Sequence, residues 1–255
     1  MVRGHPERQG RRHAVKNAFA ARTLLQESRV KKKLPYLLFV RIPFWTVVTS
    51  ILLVTAFRWI PVRNTPLMLK RSLQHKETRI QRKWVPLEEV SPDLIQAVIA
   101  AEDNRFAQHH GFDRKELEKM WADHKENGKK IRGCSTISQQ VAKNVFTFGT
   151  HTWVRKAAEA YWTVLIETIW GKRRIMEVYL NIAETGPGLF GVEASAERYY
   201  GKKARDIDRK QACAIAASLP APEERAPGRS TPFLRQRRAQ IHALIPKLNY
   251  PDWAK

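Results

Sequence analysis

Two glutamates and a group of basic side chains are the residues of this sequence whose types and spacing best suit chemistry. Glu102 ends the apolar run VIAAE, and Glu159 follows Arg155 and Lys156 in the stretch WVRKAAEAYWTVLIE. Lys143 lies between the two glutamates in the sequence, in GCSTISQQVAKN. Paired carboxylates are typical of enzymes that act on glycosidic bonds. A cationic cluster can hold a phosphate, and a phosphate leaving group converts hydrolysis of a sugar into transfer from an activated sugar.

The expected position of Glu102 follows from the helix that precedes it. Ser91 and Pro92 match a helix N-cap and a first helical position, and the apolar residues of SPDLIQAVIAAED recur at helical spacing. Glu102 is therefore expected at the C-terminal end of a buried helix. The carbonyl dipoles at such an end raise the pKa of a carboxyl group, which suits a general base for a sugar hydroxyl. Asp103 and His109 are expected to be structural, with His109 ordering the loop through hydrogen bonds.

The stretch GCSTISQQVAKN predicts a second helix with a polar side. Ser135 and Thr136 stand at its N-terminus, where free backbone N–H groups can bind an anion. Gln140, Lys143 and Asn144 are spaced i, i+3 and i+4, so they share one helix face. Taken alone, this stretch is equally well explained as a capped helix with a solvated polar face.

The charged trio Arg155, Lys156 and Glu159 also has two interpretations. One is a surface ion pair between Arg155 and Glu159, which stabilises a helix by about a few tenths of a kcal/mol. The rest of this helix is rich in tryptophan, tyrosine, leucine and isoleucine. That composition favours the second interpretation, in which the trio lines a cleft.

The main part of the sequence predicts a mostly α-helical domain. Strand-like alternation and glycine-rich nucleotide-binding patterns are absent from the sequence, so a nucleotide-binding fold has no support. Cys134 and Cys213 lack the close spacing of a metal knuckle, and both are interpreted as small buried residues, with a disulfide between them as the alternative. No metal site is predicted. Further helices are expected over residues 114–126, 135–147, 152–170, 172–183 and 190–200, over RKQACAIAASLP after Asp208, and over FLRQRRAQIHALIPKL.

The charge balance and one apolar stretch indicate the cellular setting. The 46 Lys and Arg against 24 Asp and Glu give a formal charge of +22, which predicts a polyanionic partner: nucleic acid, an anionic membrane or a phosphate-bearing substrate. Residues 36–62 are the long apolar stretch, and about 20 such residues span a bilayer. A buried core helix and a cleaved signal peptide are the alternatives. An uncleaved anchor is favoured because the basic leader is long and no convincing small-residue cleavage site follows.

The distribution of basic residues predicts the orientation of this anchor. Ten Lys and Arg lie in residues 1–33 and four in residues 58–71, so the N-terminus is expected in the cytoplasm. The predicted organisation is a basic cytoplasmic segment 1–35, a transmembrane helix 36–62, a juxtamembrane connector 63–90 and an exported domain 91–255. This topology removes cytoplasmic nucleic acid from the reach of the main domain.

Four ordered stretches resemble the signature motifs of a known enzyme family. They are EDNRFAQHHGFD, GCSTISQQVAKN, RKAAE and KRRIMEVYLN. Over roughly residues 90–222 the sequence is similar to the peptidoglycan glycosyltransferases, the family 51 glycosyltransferase domain of bifunctional penicillin-binding proteins and of stand-alone enzymes. Because no penicillin-binding domain follows, the resemblance is to the monofunctional biosynthetic transglycosylases of Gram-negative bacteria.

The resemblance implies both a fold and a reaction. The fold would be mainly α, a lysozyme-like helical domain with a small membrane-proximal lobe. The reaction would polymerise lipid II, a disaccharide-pentapeptide on undecaprenyl diphosphate, into glycan strands with inversion at the anomeric carbon. Glu102 would be the general base for the acceptor 4-hydroxyl, and Glu159 would assist at the donor diphosphate or place a basic side chain. The candidate substrate-binding residues are Ser135, Thr136, Gln140, Lys143, Asn144, Arg155 and Lys156.

Two other functions are compatible with parts of the pattern. A lysozyme-like or lytic hydrolase would use the same glutamates, but it has no diphosphate for Lys143, Arg155 and Lys156 to hold. A membrane-bound interaction protein would be expected to have a charge-neutral cleft around Glu102. No cofactor is expected to be required, although Mg or Mn is an optional occupant near the diphosphate. The expected partners are lipid II, the growing strand, the inner membrane that anchors a periplasmic domain, and cell-wall synthesis or division proteins.

Overall fold

The computed structural model describes residues 37–74, 79–128, 135–148 and 152–255. The chain divides into two compact units, Met1–Leu53 and Val54–Lys255. All of the predicted site residues belong to the second unit. The basic segment 1–35, predicted to be cytoplasmic, lies outside the described residues, and so does Cys134.

The apolar stretch forms a helix, as predicted. A π-helical turn, Leu37–Arg41, leads into helix α1, Ile42–Phe57. Together they give 21 residues, Leu37–Phe57, that are long and apolar enough to cross a membrane. Most of the apolar side chains of this helix are exposed, which argues against a buried core helix. The helix ends five residues before the predicted boundary at residue 62.

The second unit is mainly helical, as the sequence predicted. The helices after α1 are α2 Pro66–Gln74, α3 Pro92–Glu102, α4 Arg114–Asn127, α5 Ile137–Phe146, α6 Trp153–Ile169, α7 Gly171–Ile182, α8 Val192–Tyr200, α9 Arg209–Ser218 and α10 Pro232–Leu244. Helix α3 packs chiefly against α9 and α10, while α5 packs against α6 and α7. Single 3-10 turns cover Leu87–Glu89, Ala204–Asp206, Ile245–Lys247 and Asp252–Ala254.

The helix boundaries follow local signals in the sequence. Thr136 and Asp208 each accept a backbone N–H as the N-cap of α5 and α9 and complete a capping box with a glutamine. An N-cap side chain of this kind contributes about 1 kcal/mol. Gly171 has a φ of 74°, in the left-handed region that favours glycine. The long helical stretch 152–183 therefore turns at this residue and continues as a separate helix.

A small three-stranded sheet was not predicted from the sequence. Strand β3, Leu189–Phe190, lies between β1, Gln81–Arg82, which is parallel to it, and β2, Glu184–Gly186, which is antiparallel. Each strand has two or three residues, too few to show an alternating pattern.

The described parts of the predicted connector 63–90, residues 63–74 and 79–90, pack against the rest of the second unit. They supply helix α2 and strand β1, and Met68, Val85 and Leu87 are buried in the core. Asn181 of α7 holds the second of these parts through two 2.8 Å hydrogen bonds, donating Nδ2–H to the carbonyl of Val85 and accepting the Val85 N–H at Oδ1. Because Asn181 lies far along the chain from Val85, the local sequence did not reveal this contact.

Candidate active site

Glu102 is the last residue of α3, at the predicted helix end. It is partly buried, and Gln140 Nε2 donates a 2.8 Å hydrogen bond to its Oε2. Burial raises the pKa of the Glu102 carboxyl above its usual value, with a smaller push in the same direction from Asp103. The Gln140 hydrogen bond and the positive charges of Arg237 and Lys143 act against that rise. Glu102 therefore has a raised pKa. Among the described residues, its one side-chain hydrogen-bond donor is Gln140, which is neutral.

Lys143 links Glu102 to the second charged group. It lies on α5, one turn after Gln140, and its residue surface is exposed. Protein nevertheless surrounds the ammonium closely enough for desolvation to lower the pKa of Lys143. The charges that act on Lys143 include Glu159 and Glu102, which both favour its protonated form. The ammonium therefore lies within electrostatic reach of both glutamates.

Glu159 has a different environment on α6. Its side chain is only 4% exposed, and Arg155 donates from Nη1 to its Oε1. The Lys156 ammonium lies 3.3 Å from the other carboxylate oxygen. Because both oxygens face a cation, Glu159 is arranged to hold basic side chains in place. This favours the second of the two roles implied for it, placing a basic side chain.

The N-terminus of α5 is less open to an anion than the sequence indicated. The backbone N–H of Thr136 donates to Gln139 Oε1, and that of Gln139 donates to Thr136 Oγ1. The N–H of Ile137 donates to Asp103 Oδ2 at 3.0 Å. These three amides are occupied by protein groups, so the expectation of free N–H groups at this helix start is wrong for them.

Three further substrate-binding candidates, in α5 or just before it, differ in exposure. Thr136 is buried, and its hydroxyl donates to the carbonyl of Gly111 at 2.7 Å while accepting from Gln139. Ser135 is exposed just before it, and Asn144 is buried one turn after Gln140. A substrate contact by any of the three remains a prediction.

Asp103 and His109 form a frame beneath Glu102. His109 Nδ1 accepts the N–H of Gly111 at 3.1 Å, so the imidazole proton belongs on Nε2, which donates to Asp103 at 3.0 Å. Asp103 also accepts the Ile137 N–H and so ties the end of α3 to the start of α5. These contacts fit the structural roles predicted for Asp103 and His109, which remain predictions. Gly111 has a φ of 92°, and a Cβ there would lie 2.6 Å from Thr163 Cγ2, so the close approach requires glycine.

The basic residues at the start of α7 contact other parts of the fold and stabilise it. Lys172 Nζ donates to Glu167 Oε1 at 2.6 Å and lies 4.5 Å from the centre of the Phe106 ring. Arg174 Nη2 donates to the carbonyls of Phe57 and Ile60 at 2.9 and 2.8 Å. Cations at a helix N-terminus oppose the helix dipole, but Arg174 uses its charge at the C-terminal end of α1, where it is favourable.

Two residues that contact the site were not found from the sequence. Tyr179 is buried in α7, and its hydroxyl lies 3.4 Å from Gln140 Oε1, to which it donates. That contact leaves the Gln140 amide nitrogen directed to Glu102. Arg237 of α10 donates to the carbonyl of Ala101, next to Glu102. Neither had a signal, because Tyr179 matches a core position and Arg237 belongs to a run of arginines.

No metal cluster is evident in the described part of the chain. Residues 37–74, 79–128, 135–148 and 152–255 contain no group of three or more His, Cys, Asp or Glu that could hold a metal ion. Among these residues, the Glu102 and Glu159 carboxylates have protein donors as partners. Cys213 is buried, and burial raises the pKa of its thiol to about 11.

The chain is similar in sequence to one family model and to several known proteins. The family model described as Transglycosylase matches residues 69–245. A biosynthetic peptidoglycan transglycosylase of Rhodospirillum centenum is 48% identical over 189 residues, which are 74% of this chain and 81% of that protein. One of Pseudomonas aeruginosa is 44% identical over 213 residues, 82% of this chain and 91% of its own. A third, of Bdellovibrio bacteriovorus, is 45% identical over 208 residues, 78% and 83% of the two chains.

Proposed function

Since the chain belongs to the transglycosylase family and is a glycosyltransferase of peptidoglycan synthesis, we propose that Glu102 is the general base of its glycan-polymerising reaction. The substrate is lipid II or a growing glycan strand on the same carrier. The acceptor 4-hydroxyl attacks the anomeric carbon of the donor, and the bond from that carbon to the diphosphate oxygen breaks. Glu102 takes the hydroxyl proton, undecaprenyl diphosphate leaves, and the anomeric carbon inverts.

The position of Lys143 on α5 is the observation that carries this proposal. Lys143 lies one turn after Gln140, which hydrogen-bonds Glu102, and α5 packs against α6, which carries the ion pairs of Glu159. The proposed base and the cationic cluster therefore lie on helices that contact each other. Lys143 and Arg155 neutralise the charge that grows on the departing diphosphate, and preorganised cations of this kind act most strongly where charge develops. Glu159 keeps Arg155 and Lys156 in position for that task.

The environment of Glu102 suits the base in this reaction. A base must be ionised before it accepts a proton, and it must hold that proton once the hydroxyl has reacted. Burial raises the pKa of Glu102 toward neutrality, and the Gln140 hydrogen bond limits the rise. A carboxyl group with a raised pKa holds the acceptor proton more firmly than an ordinary carboxylate does, which suits the proposed base.

The membrane setting is part of the proposal. The helix Leu37–Phe57 suits a membrane anchor by its length and composition. We place it in the inner membrane with the N-terminus in the cytoplasm and residues 91–255 in the periplasm, where cell-wall synthesis or division proteins are the expected partners. No cofactor is required in this scheme, and Mg or Mn remains an optional occupant near the diphosphate. The lytic alternative gains no support, because the relatives above are biosynthetic transglycosylases.

The experiment that tests this function uses the full chain in detergent with labelled lipid II. The wild type is expected to make glycan polymer, and Glu102→Gln is expected to lower its rate by about a thousandfold or more. Glu118→Gln changes an exposed glutamate of α4 in the same way and should polymerise at the wild-type rate. Glu102→Gln with near wild-type polymerisation would overturn the base assignment. Cleavage of preformed glycan without polymerisation would overturn the transferase itself.

A further inference from the structure

The C-terminal helix sends one arginine to the end of the helix that carries Glu102. Arg237 Nη2 donates to the carbonyl of Ala101 at 2.8 Å, one residue before Glu102. The other arginines of α10 are directed elsewhere. Arg238 donates to the carbonyls of Pro227 and Arg229, and Arg235 is exposed. The contact of Arg237 is therefore specific among the three.

The end of α3 is a place where negative charge accumulates. The last carbonyls of a helix carry partial negative charge, and a nearby cation stabilises them. The Glu102 and Asp103 carboxylates lie at the same end. Arg237 is partly buried, and its hydrogen bond to the Ala101 carbonyl brings a positive charge to this helix end.

Among the described residues, other groups near Glu102 come from α5 and α7. On α5 they are Gln140, which is neutral, and Lys143, whose charge also serves Glu159 and, in the proposed mechanism, the diphosphate. On α7 it is the hydroxyl of Tyr179, which donates to Gln140 and whose pKa is raised mainly by burial and further by Glu102 and Asp103. Of the two described cations that favour the ionised form of Glu102, Lys143 and Arg237, Arg237 lies outside the diphosphate cluster.

We propose that Arg237 is a positioning residue for Glu102, which holds the end of α3 in place and keeps the Glu102 carboxylate ionised independently of the diphosphate cluster. This inference rests on the proposed role of Glu102 as the base. When the donor diphosphate binds, Lys143 turns its charge to the new anion, whereas Arg237 keeps its contact with α3. The base then stays charged until the acceptor hydroxyl gives up its proton.

The test is a pH profile of kcat/KM for lipid II polymerisation by the full chain. Removing the positive charge favours the protonated carboxyl, so the acidic limb of Arg237→Gln should move to higher pH. Its deficit relative to wild type should be several-fold larger near about pH 6 than near about pH 8. Arg237→Lys, which retains the charge, should return the limb toward the wild-type position. Arg235→Gln is the matched control on the same helix and should keep the wild-type profile.

A merely structural role predicts a different result. Arg237→Gln would then lower kcat/KM by the same factor at every pH, and that outcome, or no effect at all, would overturn the inference. If Arg237→Gln does not fold, Arg237→Met, which keeps a long apolar stem, is profiled in its place. An inactive Glu102→Gln with an unmoved Arg237 profile would reject only this inference. An active Glu102→Gln would instead reject the proposed base.

Discussion

The two glutamates of this site are the same residue type in opposite surroundings. Glu102 receives one neutral amide donor from the described residues, and burial raises its pKa. Glu159 is buried between two cations supplied by its own helix. A carboxylate that must take a proton needs a raised pKa, whereas one that must hold basic side chains needs close ion pairs. The neighbours, more than the residue type, assign the two roles.

The cationic side of this comparison gives the largest effect among the variants that leave both glutamates in place. Lys143→Ala and Arg155→Ala each remove one charge that faces the leaving diphosphate in the proposed mechanism. Each is expected to lower the turnover of lipid II by about a hundredfold, as for loss of one preorganised contact in a sheltered site. The measurement is kcat for polymer formation. Wild-type rates in both variants would remove the diphosphate clamp from the mechanism.

The role of Glu159 can be separated from that of its partner by a double-mutant cycle. Glu159→Gln should lower kcat by about tenfold, because Arg155 loses the anion that holds it. If Glu159 acts through Arg155, Glu159→Gln combined with Arg155→Ala should be about as slow as Arg155→Ala alone. Losses that multiply would show that Glu159 acts on the reaction separately, and the contrast with Glu102 would then weaken.

The frame beneath Glu102 should be tested by stability. Asp103→Asn leaves the shape of the side chain nearly unchanged but weakens the acceptance of hydrogen bonds from His109 and the Ile137 N–H. Because these groups are buried, the free energy of unfolding in denaturant is expected to fall by about 1–3 kcal/mol. His109→Ala should lower the free energy of unfolding by a similar amount, because Asp103 then loses the hydrogen bond from His109. A stable variant with lost activity would instead give Asp103 a direct part in the chemistry.

The two regions also differ in how far the sequence predicts them. Arg155, Lys156 and Glu159 meet within one helical turn, so their spacing alone predicted the contact. The partners of Glu102 come from elsewhere: Gln140 lies 38 residues along the chain, and Arg237 contacts a carbonyl 136 residues away from it. Helical spacing predicts only contacts between residues that are close in the sequence, so it could not predict these contacts. The sequence indicated Gln140 as a substrate-binding candidate, but its contact with Glu102 and the contact of Arg237 with Ala101 are seen only in the fold.

The same physical distinction explains the rest of the fold. The long helices were predicted because their caps and periodic apolar residues are local, as for Thr136 and Asp208. The packing of residues 79–90 was not predicted, because Asn181 holds Val85 from a helix far along the chain. Strands of two or three residues depend wholly on their partners in the sheet. Elements that need distant partners were the ones missed.

The smallest expected effect concerns the most indirect contact of Glu102. Tyr179→Phe removes only the hydroxyl that donates to Gln140 Oε1, so the Gln140 amide is held less firmly against Glu102. The contact is long at 3.4 Å, and the expected loss in kcat is therefore only about two- to fivefold. Tyr250→Phe is the matched control, because its hydroxyl donates to the Ile245 carbonyl at 2.9 Å and it should retain wild-type kcat. Equal rates for both variants would mean that Gln140 keeps its orientation unaided, and that the environment of Glu102 is set by α3, α5 and α10 alone.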